Sequence, residues 1–375
     1  MQHCDFLIIG AGVAGASLGW RLAPHASVIV LEMESMPGFH ATGRSATHIN
    51  LSVGRAQVQQ LTRLSLPFFL SPPEGFAEVA LLSPSPTLTV ATESQLDALG
   101  QIERGLRAVG ARPEPVAADG LQARVPILRT GPQALVAGLF DPEGYRIDGN
   151  ALFQGYLSGL RRHGGRVVTG AAPGSVQRAG DRWEVQTPQG RFSAPWLVNA
   201  AGAWADEVAR LCGVRPAGLQ PLRRTVVTFN LPQGMDARAW PFVKCAEESF
   251  YFVPEAGGLL LSPADETPSA PTDAQPEELD VAIAMDRFER ITTVTVTQLL
   301  SRWAGLRSFV ADRLPVIGPD PQTPGFFWLA GQGGAGLQTS PALSAAAAAL
   351  LIPALDGGDF SVACLAPERL PRCAA

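Results

Sequence analysis

Three glycines near the amino end, Gly10, Gly12 and Gly15, decide what the first part of this chain can fold into. They follow Phe6-Leu7-Ile8-Ile9, which is apolar on both faces, as a strand inside a parallel sheet must be. They open a helical segment that runs to about Leu22 and carries Ala14, Gly15, Ala16 and Gly19 on the side that has to approach the sheet. A second apolar run, Ser27-Val28-Ile29-Val30-Leu31, then ends at Glu32. Strand, glycine turn, helix and strand in this order predict a βαβ unit, the context in which Gly-x-Gly-x-x-Gly has a mechanism. Gly10 allows the tight turn, Gly12 lets the backbone come close to a pyrophosphate, and Gly15 lets the helix lie against the strand. The start of the helix, with Ala14 in its first turn, presents unpaired N–H groups and a partial positive charge to phosphate oxygens. Glu32, followed by Met33, stands 20 residues after Gly12. A carboxylate there accepts both ribose hydroxyls and repels a 2′-phosphate. An adenine dinucleotide other than NADP is expected, and the spacing alone leaves NAD and FAD open.

At 375 residues, 46% of them apolar, the chain is long enough for about two domains with cores of their own. The strand-to-glycine pattern returns about 190 residues later at Trp196-Leu197-Val198-Asn199-Ala200-Ala201-Gly202, followed by a helix over about 204–212. Such a return predicts a discontinuous nucleotide domain. Between the two lie a helix at about 151–163, a strand at 166–169, and a hairpin of 175–178 with 183–187 around Ala179-Gly180-Asp181. Residues 75–140 are rich in Pro and Gly around the strand-like Thr87–Ala91. Strand-like runs at 225–229, 249–253, 259–262 and 291–297 predict an antiparallel sheet in a second domain.

A formal net charge of -5 offers no basic footprint for nucleic acid. Lys244 is the single lysine, so Schiff-base chemistry would rest on one residue. The five cysteines, Cys4, Cys212, Cys245, Cys364 and Cys373, include no Cys-x-x-Cys pair. That argues against a metal site and a disulfide framework, and fits a reducing compartment. The start of the chain has no signal-peptide pattern, and the longest apolar run, 345–352, falls far short of the roughly 20 residues that cross a bilayer. A cytoplasmic protein is expected, at most peripheral to the inner membrane.

After Glu32 come Met36-Pro37-Gly38 and Thr42-Gly43-Arg44-Ser45-Ala46-Thr47-His48. Later blocks are Leu197-Val198-Asn199-Ala200-Ala201-Gly202-Ala203-Trp204, Trp303-Ala304-Gly305-Leu306-Arg307 and Gly331-Gln332-Gly333-Gly334-Ala335-Gly336-Leu337-Gln338-Thr339-Ser340-Pro341. In this order, over nearly the whole chain, the blocks resemble the FAD-dependent D-amino acid oxidase/dehydrogenase superfamily, and within it the bacterial D-arginine dehydrogenases. The resemblance implies an α/β fold. A Rossmann-like FAD-binding domain would be discontinuous over residues 1–75, 141–215 and 300–375. A substrate domain with a mixed/antiparallel β-sheet would take 76–140 and 216–299. FAD would be held non-covalently, since no cysteine stands near Arg307. Its implied contacts are Gly10, Gly12, Ala14, Gly15, Glu32 and Met33, then Thr42, Gly43, Arg44, Ser45, Ala46 and His48, then Ala201, Gly202, Trp204 and Gly305. The last block adds Gly331, Gly333, Gly334, Gly336, Leu337, Gln338 and Thr339. That block is expected to open a helix capped by Ser340 with Pro341 in its first turn, its N–H groups aimed at the flavin edge that becomes anionic on reduction.

The resemblance also places Arg307 over the flavin as the anchor of a substrate carboxylate, which suits its planar fork and permanent charge. Pro221-Leu222-Arg223 matches a segment in which a second arginine assists, with Arg224 expected to face the other way on a strand. A surface salt bridge is the competing reading for either arginine. Tyr251 matches a tyrosine whose hydroxyl turns to the carboxylate; the ordinary alternative is a half-buried strand aromatic. His48 is expected beside flavin or substrate, Gln332 where some relatives carry His, and Gly334 against the substrate. The catalytic candidates are thus His48, Arg223, Tyr251, Arg307 and Gln332. Two further substrate-binding candidates depart from the D-arginine pattern, with Val53 in place of a tyrosine and Thr87 in place of a glutamate that binds the guanidinium. Loss of that carboxylate moves the expected preference toward neutral or apolar side chains.

The implied reaction is oxidative deamination of a D-amino acid, with hydride passing from Cα to flavin N5. The imino acid is then hydrolysed to a 2-oxo acid and ammonia. The amine must be neutral to react, so the rate should rise with pH. The same scaffold supports glycine- and sarcosine-type amine oxidation, and a flavin-binding sensor without turnover is the reading from outside enzymes. The expected partner is an amino acid substrate, with a quinone of the respiratory chain or O2 as electron acceptor. The distance of the only lysine from the flavin motifs tilts the expectation toward a dehydrogenase.

Overall fold

The computed structural model describes residues 1–370; Cys373 lies outside the described residues. The apolar runs form a six-stranded sheet in the order Arg166–Val168, Val28–Leu31, Phe6–Ile9, Trp196–Asn199, Phe326–Ala330, Val316–Pro319. The first five strands are parallel and the last is an antiparallel edge. Phe6–Ile9 is buried at every position because both faces of the sheet are covered. Phe6 and Ile8 pack with Leu18, Leu22, Leu160 and Leu343 of the helices Val13–Leu22, Gly149–Arg162 and Gly336–Leu351. Leu7 and Ile9 pack on the other side with Trp183, Val185 and Phe192 of a four-stranded sheet and with Val208 of the helix Ala205–Leu211.

The second part is a nine-stranded mixed sheet. Thr267–Pro268, Gln220–Asn230, Gly258–Ser262, Tyr251–Glu255, Phe242–Cys245, Thr87–Ala91, Ala137–Asp141 and Glu114–Ala117 follow one another, and Leu299–Phe309 pairs with Gln220–Asn230. One face buries Val227, Phe229, Phe252 and Leu261 against Phe288 of the helix Glu278–Ile291. The other face carries Val226, Phe242, Tyr251, Val253 and Leu260, which pack with Ala46 and Trp303.

Three expectations are corrected. Residues 291–297 are not a strand. Val281, Ala284 and Phe288 repeat at helical spacing and bury against the sheet. The Thr292 hydroxyl donates back to the Phe288 carbonyl, 2.9 Å, so the β-branched run is the exit from that helix. The strand comes later, at Leu299–Phe309, and belongs to the nine-stranded sheet rather than to the nucleotide part. The carboxyl-terminal helix starts at Gly336 after the N-cap Ala335, so Ser340 and Pro341 lie beyond its first turn. Pro341 has no N–H for the Leu337 carbonyl; Ser340 Oγ donates to it instead, at 2.9 Å, so no acceptor is orphaned.

Among the described residues no helix is long and apolar enough to cross a membrane. Cys4, Cys212, Cys245 and Cys364 are free thiols.

Candidate active site

A cavity of about 470 Å³ opens at the carboxyl ends of the parallel strands and reaches the nine-stranded sheet. Crevices at that end of an open α/β sheet are where such folds bind ligands. Glu32 and Met33 line one end, with His40 and Trp204, whose rings meet at 4.5 Å with their planes tilted by 46°. Glu32 is held by two backbone amides: Ala11 N–H donates to Oε2 at 2.9 Å and Glu34 N–H to Oε1 at 3.0 Å. Gly10, Gly12 and Ala14 line the middle, with Thr42, Arg44, Ser45, Ala46, Ala201 and Gly202. Gly12 caps its helix without a side chain, and Val13 N–H donates to Thr42 Oγ1 at 3.0 Å, which fixes the 42–46 segment across the helix start. Gly15 and Gly43 are not lining residues. A Cβ on Gly15 would lie 2.0 Å from the Gly10 carbonyl oxygen, so Gly15 sets how closely the helix approaches the turn. Gly43 N–H closes the preceding loop on Gly38 O at 2.9 Å. Arg44 donates to the carbonyls of Ala274 and Ala304, both at 2.9 Å, and pairs with Asp273, which ties the segment to the second part of the fold.

At the far end stand Gly305, Gly331, Gln332, Gly333, Gly334, Gly336 and Leu337 with Tyr251, Arg224 and Arg307. The first turn of the helix Gly336–Leu351 faces this end. An acid at one end and two helix starts whose N-cap residues, Gly12 and Ala335, make no side-chain cap bond fit an extended flavin adenine dinucleotide.

Arg307 makes no hydrogen bond or ion pair with any described residue. It lies against Gly334, where a Cβ would come within 2.9 Å of Nη1. Removal from water, and then the neighbouring Arg224 charge, push its guanidinium down to about 10, so it stays charged at neutral pH. Arg223 does not reach the cavity. It pairs with Glu277 and Asp280 (2.9 Å to Asp280) beside the helix Glu278–Ile291. Arg224, one residue on and therefore on the opposite face, is the second arginine that lines the cavity. Its Nε donates to the Asp265 carbonyl at 2.7 Å. The strand is as expected, and its alternation puts Arg224 rather than Arg223 on the cavity face. Gln332 Nε2 donates to the Leu329 carbonyl at 3.3 Å.

His48, Val53, Thr87, Gln338 and Thr339 are not lining residues. Val53 N–H closes a turn on Asn50 O at 3.3 Å, Gln338 Oε1 accepts Asn50 N–H at 3.1 Å, and Thr339 Oγ1 donates to Ala335 O at 2.8 Å. His48 packs its ring on Phe242 at 4.4 Å, and Phe242 stacks in turn on Tyr251 at 5.3 Å. Its Nε2 is 3.0 Å from both Ser85 O and Ser85 Oγ. Burial pushes the imidazole from 6.5 down to about 3. His48 is therefore neutral under ordinary conditions and is not a titrating base. Its C–H resonances should stay flat between about pH 5 and 8, where a free histidine titrates. The unfolded chain takes up a proton near pH 6.5 that the folded chain refuses until about 3. Folding stability should thus fall as pH drops through that window. Urea midpoints measured against pH should show a shallower fall in His48→Gln.

Residues 5–350 match the family described as DAO, FAD dependent oxidoreductase. This chain belongs to that family, and FAD is its cofactor. The mouse (Mus musculus) mitochondrial dimethylglycine dehydrogenase is 34% identical over 131 residues, which cover 34% of this chain and 15% of that much longer protein. The bovine (Bos taurus) FAD-dependent oxidoreductase domain-containing protein 1 is 24% identical over 99% of this chain and 85% of its own length. The crystal structure of glycine oxidase from Geobacillus kaustophilus superposes with a TM-score of 0.85 at 20% identity, covering both chains completely. These likenesses support the superfamily rather than its D-arginine branch.

Proposed function

We propose that this flavoenzyme oxidises amines that carry a carboxylate, D-amino acids first among them. The observation that carries the reading is Arg307: a guanidinium without a hydrogen-bond or ion-pair partner among the described residues, lining the same cavity as the glycine-rich helix start. An unpaired cation in such a place calls for an anion, and the fork of an arginine matches a carboxylate. Arg224, whose charge is partly offset by Glu266 at 3.4 Å and Asp265 at 4.0 Å, lines the same wall with Tyr251. Bound FAD supplies a two-electron acceptor. The arginines hold the carboxylate and so fix which way the adjacent C–H points, and orientation of this kind is a large part of catalysis. The substrate nitrogen has to be neutral, and no lining residue at this end is a base, so the rate should rise with pH through the ionisation of the substrate amine. Water then hydrolyses the imine to an oxo acid and an amine.

Glycine- and sarcosine-type oxidation fits comparably, since the arginine anchor does not distinguish a Cα substituent from an N-substituent. Anaerobic titration of the yellow protein with D- and L-amino acids, glycine, sarcosine and N,N-dimethylglycine separates the readings. Fastest bleaching by D-amino acids supports the first, and by N-methylated acids the second. No bleaching by any of them overturns both.

A further inference from the structure

Glu266 and Arg313 belong to no motif and do not line the cavity, yet they bear on the arginines that do. Glu266 stands one residue before the short strand Thr267–Pro268, which pairs with Leu222 and Arg223. Arg313 lies in the turn that follows Leu299–Phe309, its N–H bonded to the Val310 carbonyl at 2.9 Å. The two side chains meet fork to fork: Arg313 Nη2 donates to Oε1 at 2.6 Å and Nη1 to Oε2 at 3.0 Å. Arg224 Nη2 approaches the same Oε1 only to 3.4 Å, beyond the roughly 2.7–2.9 Å of a strong charged pair. One carboxylate is thus shared by two guanidiniums, and Arg313 has the shorter share. Asp265 is fixed differently. It accepts from the Thr225 N–H at 2.7 Å and the Thr225 hydroxyl at 3.0 Å, and stays 4.0 Å from Arg224 Nε. Glu266 accepts from the two arginines alone among the described residues, and its charge also acts on Arg307. Arg313 in turn is held firmly. Its backbone sits at φ +61, a region that disfavours a side chain. Its guanidinium carbon lies 3.9 Å from the centre of the Phe309 ring, a cation–π contact. That ring packs on Gly333 of the cavity wall, where a Cβ would come within 2.0 Å of it.

We infer that Arg313 is a positioning residue for the substrate carboxylate: it holds Glu266 off Arg224 and so keeps the Arg224 fork open. The inference rests on the reading of Arg307 and Arg224 as the carboxylate anchor. An acid this close to an anion site is a competitor, because it offers the same geometry to the same fork as the substrate does. Arg313 removes the competition by taking both of its oxygens. Without Arg313, Glu266 has one cation left to pair with. Closing the 3.4 Å gap sets it on Arg224, where it occupies a donor that the substrate would use. An incoming carboxylate then has to displace a like charge in a site shielded from water, where repulsion is strong. Asp265 cannot take this part, because Thr225 already fixes both of its oxygens.

The holoenzyme tests it with 2-oxovalerate, a carboxylate with no amine to oxidise, titrated against the visible flavin spectrum. Arg313→Asn tolerates the left-handed backbone but lacks the fork, and should bind the acid at least about tenfold weaker. Adding Glu266→Gln removes the competing charge and should bring the double variant back to within about threefold of wild type. Glu266→Gln alone should bind at least as tightly as wild type. A residue that merely braced its own turn would not be repaired by a second loss, so the restoration separates the two roles. The uncharged 2-oxovaleramide should bind all of these proteins alike. Should Arg313→Asn lose its flavin, Arg313→Lys, a cation without the fork, gives the same comparison on a smaller scale. Wild-type affinity in the Arg313 variants, or a double variant no tighter than the single one, overturns the inference, and a weakened Arg307→Met then leaves the anchor standing. If Arg307→Met binds like wild type, or the acid does not perturb the wild-type flavin, the anchor and the inference fall together.

Discussion

Arg307→Met should lower kcat/KM for carboxylate-bearing amines by about 10²–10⁴ while the protein stays yellow. Removing one partner of a buried, charge-assisted pair costs about 3–5 kcal/mol, and each 1.4 kcal/mol is a factor of ten. The loss should fall on both constants, because the anchor binds the substrate and also orients its reacting C–H. Flavin content should persist, since Gly10, Gly12, Ala14 and Glu32 line other parts of the cavity. Gly334→Ala tests the same wall without touching the charge. Its Cβ would come within 2.9 Å of Nη1 and displace the fork, so it should mimic Arg307→Met in milder form. Stopped-flow reduction under anaerobic conditions measures both. An Arg307→Met enzyme within a few-fold of wild type would remove the guanidinium from the substrate site.

What the sequence made legible follows from how local each signal is. The strand Phe6–Ile9, the helix Val13–Leu22 and Glu32 are contiguous, and each position there has a backbone or packing reason that the residue type alone expresses. The later glycine block was legible for the same reason, although its helix begins before Ser340 because Ala335 already caps it. Parity on a long strand is less local. Pro221, Arg223 and Arg224 sit in a run where both faces are buried, one against the helix Glu278–Ile291 and the other against the cavity, so alternation does not say which face is which. Leu299–Phe309 was obscured because Gly305, Arg307 and Ser308 line the cavity and Ser301 and Arg302 are exposed, which breaks the apolar pattern, and the β-branched residues just before it read as the better strand.

Gly15→Ala should cost the protein its flavin, with an affinity for FAD at least about a hundredfold weaker. The added Cβ would lie 2.0 Å from the Gly10 carbonyl oxygen and 3.2 Å from Ile8 Cγ2. The first contact is with backbone, so no side-chain rotation relieves it. Either the turn at Gly10, already at φ +101 and 2.5 Å from Ala200 O on its own Cβ side, or the helix start has to move. Both carry the groups that face the middle of the cavity, so either displacement pulls the N–H array away from the pyrophosphate. Gly19→Ala is the control. It lies one turn further along the same helix, and its Cβ would meet the ends of Leu160 and Val30 at 3.3 and 3.4 Å, atoms that can give way. That variant should purify yellow. The ratio of flavin to protein absorbance, and fluorescence titration of the stripped proteins with FAD, measure the difference. A Gly15→Ala protein that keeps wild-type affinity would mean that the helix start does not carry the phosphates, and the identification of this turn as their seat would fail while the glycine-lined far end of the cavity remained.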